Sequence, residues 1–299
     1  MPIEDVIAAV PELRDASSVE PLAGGLTNTN YRVISPQGTY VVRISGKDTG
    51  LLAIDRENEA HNTRRAAETG VGAPFVAWLP DHDALVLEFL EGEVLDAEKL
   101  RRGDRLPLVA QACLRLHGGE RFLHDFDMFE IQRGYLRVVQ ERGFRLPERY
   151  LEFEPHVRAL ELAMRAREER TVPCNNDLLP ENFIDCGGEL RLIDYEYSGN
   201  NEPSFELGNI WSESNLSLEQ LEWLVTEYYG APLRNKIARC RLWGLMSKYG
   251  WTLWGSIQVG ISDIAFDFWS WAMEKYERAV AEFDGGDFEQ LLADVQRTD

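Results

Sequence analysis

Apolar residues at positions 3, 6, 7, 10 and 13 recur at a helical spacing that Pro11 disturbs. The texture then turns to short strand-like runs at 19–22, 30–34 and 40–44, the last two joined by Ser35-Pro36-Gln37-Gly38, which predicts an antiparallel meander. A helical stretch over 54–69 stops at Gly70, and two further strands fit 74–78 and 84–89 around Asp81-His82-Asp83. Beyond Leu90-Glu91-Gly92 the pattern is amphipathic helix, broken by short apolar runs at 182–184 and 190–193 on either side of Gly187-Gly188. The change of texture predicts an α+β chain in two lobes: residues 1–90, a small antiparallel sheet with one main helix, and residues 91–299, larger and mostly helical.

Composition narrows the choice of partners. A chain of 299 residues that is 44% hydrophobic can bury a full core without disulfides. Its 31 basic and 51 acidic residues leave a net charge of −20, which makes nucleic acid and anionic membrane poor partners and favours a cation. Cys113, Cys174, Cys186 and Cys240 form no Cys-x-x-Cys pair and read as reduced thiols of a cytoplasmic protein. The N-terminus is acidic where a signal peptide needs a basic flank, and no apolar run reaches ~18 residues, so neither secretion nor membrane insertion is expected. Oligomeric state is not written in any of these patterns.

The densest cluster of candidate chemistry runs from Cys174 to Ile184 and on to Tyr197. Asp177 precedes Asn182 by five residues, the loop closes into a predicted hairpin, and the hairpin's exit strand ends at Asp194. Phosphoryl transfer needs a base beside the acceptor hydroxyl and oxygen ligands for Mg²⁺; Asp177 suits the first, Asn182 and Asp194 the second. In the first lobe, Gly24 and Gly25 lie between the first two strands, where glycines let backbone amides approach phosphate, and Thr27, Asn28 and Thr29 add donors. Arg43 on the third strand can grip nucleotide phosphates if a helix carboxylate holds it, with Glu59 the first choice and Glu57 the reserve. Residues 88–92, Glu88 and Leu90 among them, are placed as the hinge facing adenine.

These residues carry a resemblance. Gly24-Gly25-Leu26-Thr27-Asn28-Thr29-Asn30-Tyr31, Tyr40-Val41-Val42-Arg43-Ile44, Asp55-Arg56-Glu57-Asn58-Glu59, Leu87-Glu88-Phe89-Leu90-Glu91-Gly92, Asn176-Asp177-Leu178-Leu179-Pro180-Glu181-Asn182 and Ile193-Asp194-Tyr195-Glu196-Tyr197 are similar, in this order, to motifs of the bacterial choline/ethanolamine kinase family within the aminoglycoside-phosphotransferase-like group. The resemblance implies a protein-kinase-like fold and ATP with Mg²⁺ as cofactors. It makes Asp177 the catalytic base, Asn182 and Asp194 the metal ligands, Glu196 a support for metal or acceptor, and Arg43 the replacement for the lysine of protein kinases. One departure is Asn175, where the family carries a histidine that shapes the loop by hydrogen bonding. Asparagine is also a donor and can take over part of that role; reduced activity, or a silent nucleotide-binding regulator, stays open.

Five of the eight tryptophans fall between 243 and 271. Core packing is expected to claim Trp243 and Trp269. Trp251 and Trp254 share a helix face, and Gly260 with Ser262 or Asp263 offers a stop before Phe266 and Trp271. The break matters, because one straight helix would hold residues 254 and 271 about 25 Å apart. A quaternary ammonium has no N–H to donate and is held by aromatic faces and negative charge, which such a cluster can supply. By the same resemblance the segment matches a choline-pocket region, with Tyr197 and Glu213 at lining positions. The expected acceptor is a small cationic alcohol, choline first and ethanolamine next, ahead of an aminoglycoside or other sugar hydroxyl.

Overall fold

The computed structural model describes residues 2–46, 49–102 and 104–298. Alternation along β3 explains how the first lobe is built. The described chain opens with α1 (Ile3–Ala9), β1 (Ser18–Leu22), β2 (Asn28–Ser35) and β3 (Gly38–Ser45), followed by α2 (Arg56–Glu68), β4 (Phe75–Leu79) and β5 (Ala84–Glu88). The five strands form one antiparallel sheet in the order β1-β2-β3-β5-β4. Tyr40 and Val42 point to one face of β3 and pack with Val6, Val10, Leu13, Val33 and Val86, so α1 and a short 3-10 turn at Pro11–Leu13 cover that side. Arg43 therefore projects from the opposite face, toward α2 and the second lobe. The helix expected to continue past Pro11 ends at Ala9, since proline cannot supply the next hydrogen bond.

α2 is fastened to both lobes. Asp55 caps its first turn by accepting the N–H groups of Glu57 and Asn58. One turn apart on its inner face, Asn58 and Asn62 both donate to the carbonyl of Ser198, at 2.9 and 3.1 Å, so the helix is held to the second lobe by a buried amide ladder. Ala66 at its end belongs to the second lobe's core.

That lobe contains β6 (Glu93–Val94), α3 (Ala97–Leu100), α4 (Leu106–His117), α5 (Met128–Arg142), α6 (Glu154–Arg165), β7 (Val172–Cys174), β8 (Phe183–Asp185), β9 (Leu190–Leu192) and β10 (Gly199–Asn201). It ends with α7 (Pro203–Glu213), α8 (Leu218–Tyr229), α9 (Arg234–Ile261), α10 (Phe268–Phe283) and α11 (Phe288–Asp294). α9 is buried on nearly every side from Cys240 to Gln258, as an axial helix must be. It crosses α7 closely: a Cβ on Gly208 would sit 2.2 Å from the carbonyl oxygen of Cys240, and one on Gly244 would sit 2.7 Å from that of Gly208. Among the described residues no helix is long and apolar enough to cross a membrane.

Candidate active site

A cavity of about 320 Å³ opens between the lobes, and both ends of the expected transfer line contribute to it. Its wall includes Gly24, Gly25, Thr27, Asn28, Arg43, Asp177, Asn182, Asp194, Glu196, Tyr197, Glu213, Trp251, Trp254, Phe266 and Trp271. Of the remaining predicted positions, Glu59 lies buried behind Arg43, Thr29 faces solvent on β2, and Glu88 and Leu90 stand off the cavity wall. Sequence reasoning missed Leu26, Asn30, Leu179, Glu181 and Lys275, which also line it.

The loop bearing Asp177 and the turn bearing Asp194 are locked to each other. The Nδ2 of Asn175 donates to the carbonyls of Ile193 and Asp194, at 3.1 and 2.8 Å, while its Oδ1 accepts the N–H of Asp177. Asparagine thus ties the two segments where histidine was anticipated. α7 holds the loop from below: Glu206 accepts the N–H groups of Asn175 and Asn176, at 2.9 and 2.7 Å, and Asn209 accepts that of Leu178 at 2.9 Å. Glu206 and Asn209 were not singled out from the sequence, although they stand three apart among Phe205, Leu207, Ile210 and Trp211 on a buried helix. These clamps sustain left-handed backbone at Asn176 and Asp194, with φ of 67° and 65°.

Asn182 donates its Nδ2 to the carbonyl of Asp177 at 2.8 Å, and among the described residues no donor reaches its Oδ1. The Ile193 N–H bonds to the Asn182 carbonyl, so Asn182 and Asp194 close the same end of the β8–β9 hairpin. Glu59, Asp194 and Glu196 bring carboxylate oxygens within 4.8 Å of one another. Glu59 and Glu196 are taken up by arginines, which leaves the Asn182 amide oxygen and the Asp194 carboxylate as the oxygen donors that fit a hard divalent cation such as Mg²⁺.

Arg43 pairs with Glu59 and, at 2.5 Å, with Asp194. Burial works against its charge, but Asp194, Glu59 and Glu196 outweigh it and push the guanidinium pKa upward. Arg56 adds a second cation, 2.6 Å from Glu59 and 3.2 Å from Glu196, whereas the reserve partner Glu57 is exposed. Thr27 and Asn28 do not offer all their donors to the cavity: Thr27 Oγ1 and Asn28 Nδ2 donate to Glu196, at 2.8 and 2.9 Å. Gly25 is required in this loop because a Cβ there would lie 2.3 Å from the Asn28 carbonyl oxygen. Gln258 of α9 donates to the Leu26 carbonyl at 3.1 Å, so the loop touches the second lobe twice.

At the other end are the aromatic rings. α9 stops at Ile261 and α10 starts at Phe268, and the turn brings the Trp254 and Trp271 rings to 5.2 Å. Trp254 donates its Nε1–H to the Tyr197 hydroxyl at 2.8 Å, and the Trp251 ring meets Tyr197 edge-on at 4.8 Å. Phe266 is exposed at the turn between the two helices. Trp243 is in the core as expected, but Trp269 is only half-buried, with the Arg145 guanidinium 3.7 Å from its ring centroid. Burial, followed by the charges of Glu213, Asp194 and Glu196, raises the Asp177 carboxyl well above the usual aspartate range, while Lys275 pulls it back.

The chain is similar to known proteins in sequence and in fold. A sequence profile of the choline/ethanolamine kinase family matches residues 19–226. Protein LicA of Haemophilus influenzae is 28% identical over 212 residues, which span 69% of this chain and 61% of LicA, less than two thirds of its length. Ethanolamine kinase 2 of Rattus norvegicus is 27% identical over 270 residues, 80% of this chain and 68% of the other. The crystal structure of a choline/ethanolamine kinase family protein from Mesorhizobium loti superposes with a TM-score of 0.86 at 30% identity, over 99% of both chains.

Proposed function

The chain belongs to the choline/ethanolamine kinase family, and from that premise we propose that it transfers the terminal phosphoryl group of ATP to the hydroxyl of a small amino alcohol of the choline and ethanolamine type. The observation that carries this reading is that one cavity unites Asp177, the oxygen ligands Asn182 and Asp194, and the rings of Tyr197, Trp251, Trp254 and Trp271. Asp177 accepts the acceptor's hydroxyl proton as that oxygen bonds to the γ-phosphorus and the bond to the leaving ADP oxygen breaks. Arg43, fixed by Glu59, and the backbone of Gly24 and Gly25 hold the phosphates. Mg²⁺ on Asn182 and Asp194 would neutralise charge on the transferring group.

The clustered rings of Trp251, Trp254 and Trp271 favour a small cationic alcohol over a large polyamine sugar, which calls for a broad acidic cleft. The bonds made by Asn175 argue against a silent regulator, because the loop holding Asp177 is fully tied without the family's histidine. A panel of alcohols with Mg-ATP, read by ADP release, tests the proposal. Turnover with choline or ethanolamine is expected; ATP binding without turnover of any alcohol in the panel would overturn it.

A further inference from the structure

The cationic partner for the aromatic end of the cavity is already supplied by the protein. Lys275, one helical turn beyond Trp271 on α10, reaches the same wall, and its ammonium lies 4.4 Å from the Trp271 ring centroid. That ammonium also pairs with Glu213 through Oε2, and both side chains are about 95% buried, with exposures of 4% and 5%. A ring face and an anionic oxygen are the two things a quaternary ammonium seeks. The second oxygen of Glu213, Oε1, is buried and has no hydrogen-bond donor among the described residues. A buried carboxylate oxygen in that condition is costly and calls for an N–H or O–H.

Resting on the amino-alcohol reading above, we propose that Lys275 sets acceptor choice: it fills the cation position at Trp271 and leaves Glu213 Oε1 for a primary ammonium, so the site selects ethanolamine-like acceptors over choline. A trimethylammonium has no proton for Oε1 and would have to expel Lys275 to reach the ring. A primary ammonium donates to Oε1 while Lys275 keeps Oε2.

The test compares kcat and KM for ethanolamine and choline in wild type, in Lys275→Met and in the double variant Glu213→Gln/Lys275→Met, all with saturating Mg-ATP. Wild type should favour ethanolamine in kcat/KM by about tenfold or more, and Lys275→Met should shift the ratio toward choline by about the same factor, with KM for ATP unmoved. If the single variant misfolds because Glu213 is left unpaired, the double variant, which buries no lone charge, carries the comparison and should shift the ratio the same way. Preference of wild type for choline, or a ratio unmoved in the folded variant, overturns the role of Lys275 while leaving the amino-alcohol kinase intact. Turnover of neither alcohol overturns the kinase reading itself, and this inference with it.

Discussion

An ionised Asp177 is stripped of water and surrounded by Glu213, Asp194 and Glu196, so the folded protein prefers it protonated. In the unfolded chain an aspartate ionises near pH 3.8. Above that pH the unfolded state has lost a proton that the folded state retains, so stability falls as pH rises through the interval up to the folded pKa. Asp177→Asn removes this loss. The variant should melt above wild type at neutral pH, the advantage should shrink as pH falls toward the unfolded value and vanish below it, and turnover should drop by ~10²- to 10⁴-fold. Identical melting curves across that range would mean that the surrounding carboxylates do not load the site. Thermal denaturation at several pH values, beside a kinetic assay, reads both effects.

At the scale of elements, α7 joins the Asp177 loop to the helix packing, because the helix that carries Glu206 and Asn209 under that loop also carries Gly208 against α9. Gly208→Ala would force the two helices apart, costing about 1–3 kcal/mol or more, and should lower kcat beyond what the remaining folded fraction explains. Unchanged kcat per folded molecule, measured after correction by denaturant titration, would uncouple the crossing from the loop. Much of this architecture could be read from local pattern. Alternation over 40–44 placed Arg43 opposite the core face, and Gly260 with Ser262 foretold the break that brings Trp254 to Trp271. The clamps from Glu206 and Asn209 were hidden because they act across some thirty residues of chain, which no local period records. Lys275 was missed for another reason: a charged residue on an amphipathic helix reads as solvent-facing, and only the fold buries it against Trp271 and Glu213. Thr27 and Asn28 were visible as donors, but their partner Glu196 lies 169 and 168 positions away.

Across the whole molecule, the two lobes meet through charge and amide bonds as well as through first-lobe residues Leu52, Ile54, Ala66 and Val71, which are buried in the second lobe's apolar clusters. Arg43 and Arg56 bridge Glu59 of the first lobe to Asp194 and Glu196 of the second, and Asn58 and Asn62 reach Ser198. Over the cavity, Glu196 takes Thr27 and Asn28 while Gln258 takes the Leu26 carbonyl. On the proposed reading, the donors of Thr27 and Asn28 that would greet phosphate oxygens are engaged with a carboxylate of the opposite lobe, and an arriving nucleotide would have to compete for them. Glu196→Gln weakens charge-assisted bonds to neutral ones, so nucleotide association followed by stopped flow should quicken even if affinity changes little; an unaltered association rate would show that the contact does not gate access. The glycine-rich loop then behaves as a spring-loaded latch whose catch is Glu196, and the speed with which the enzyme samples its nucleotide would be governed by how often that catch lets go.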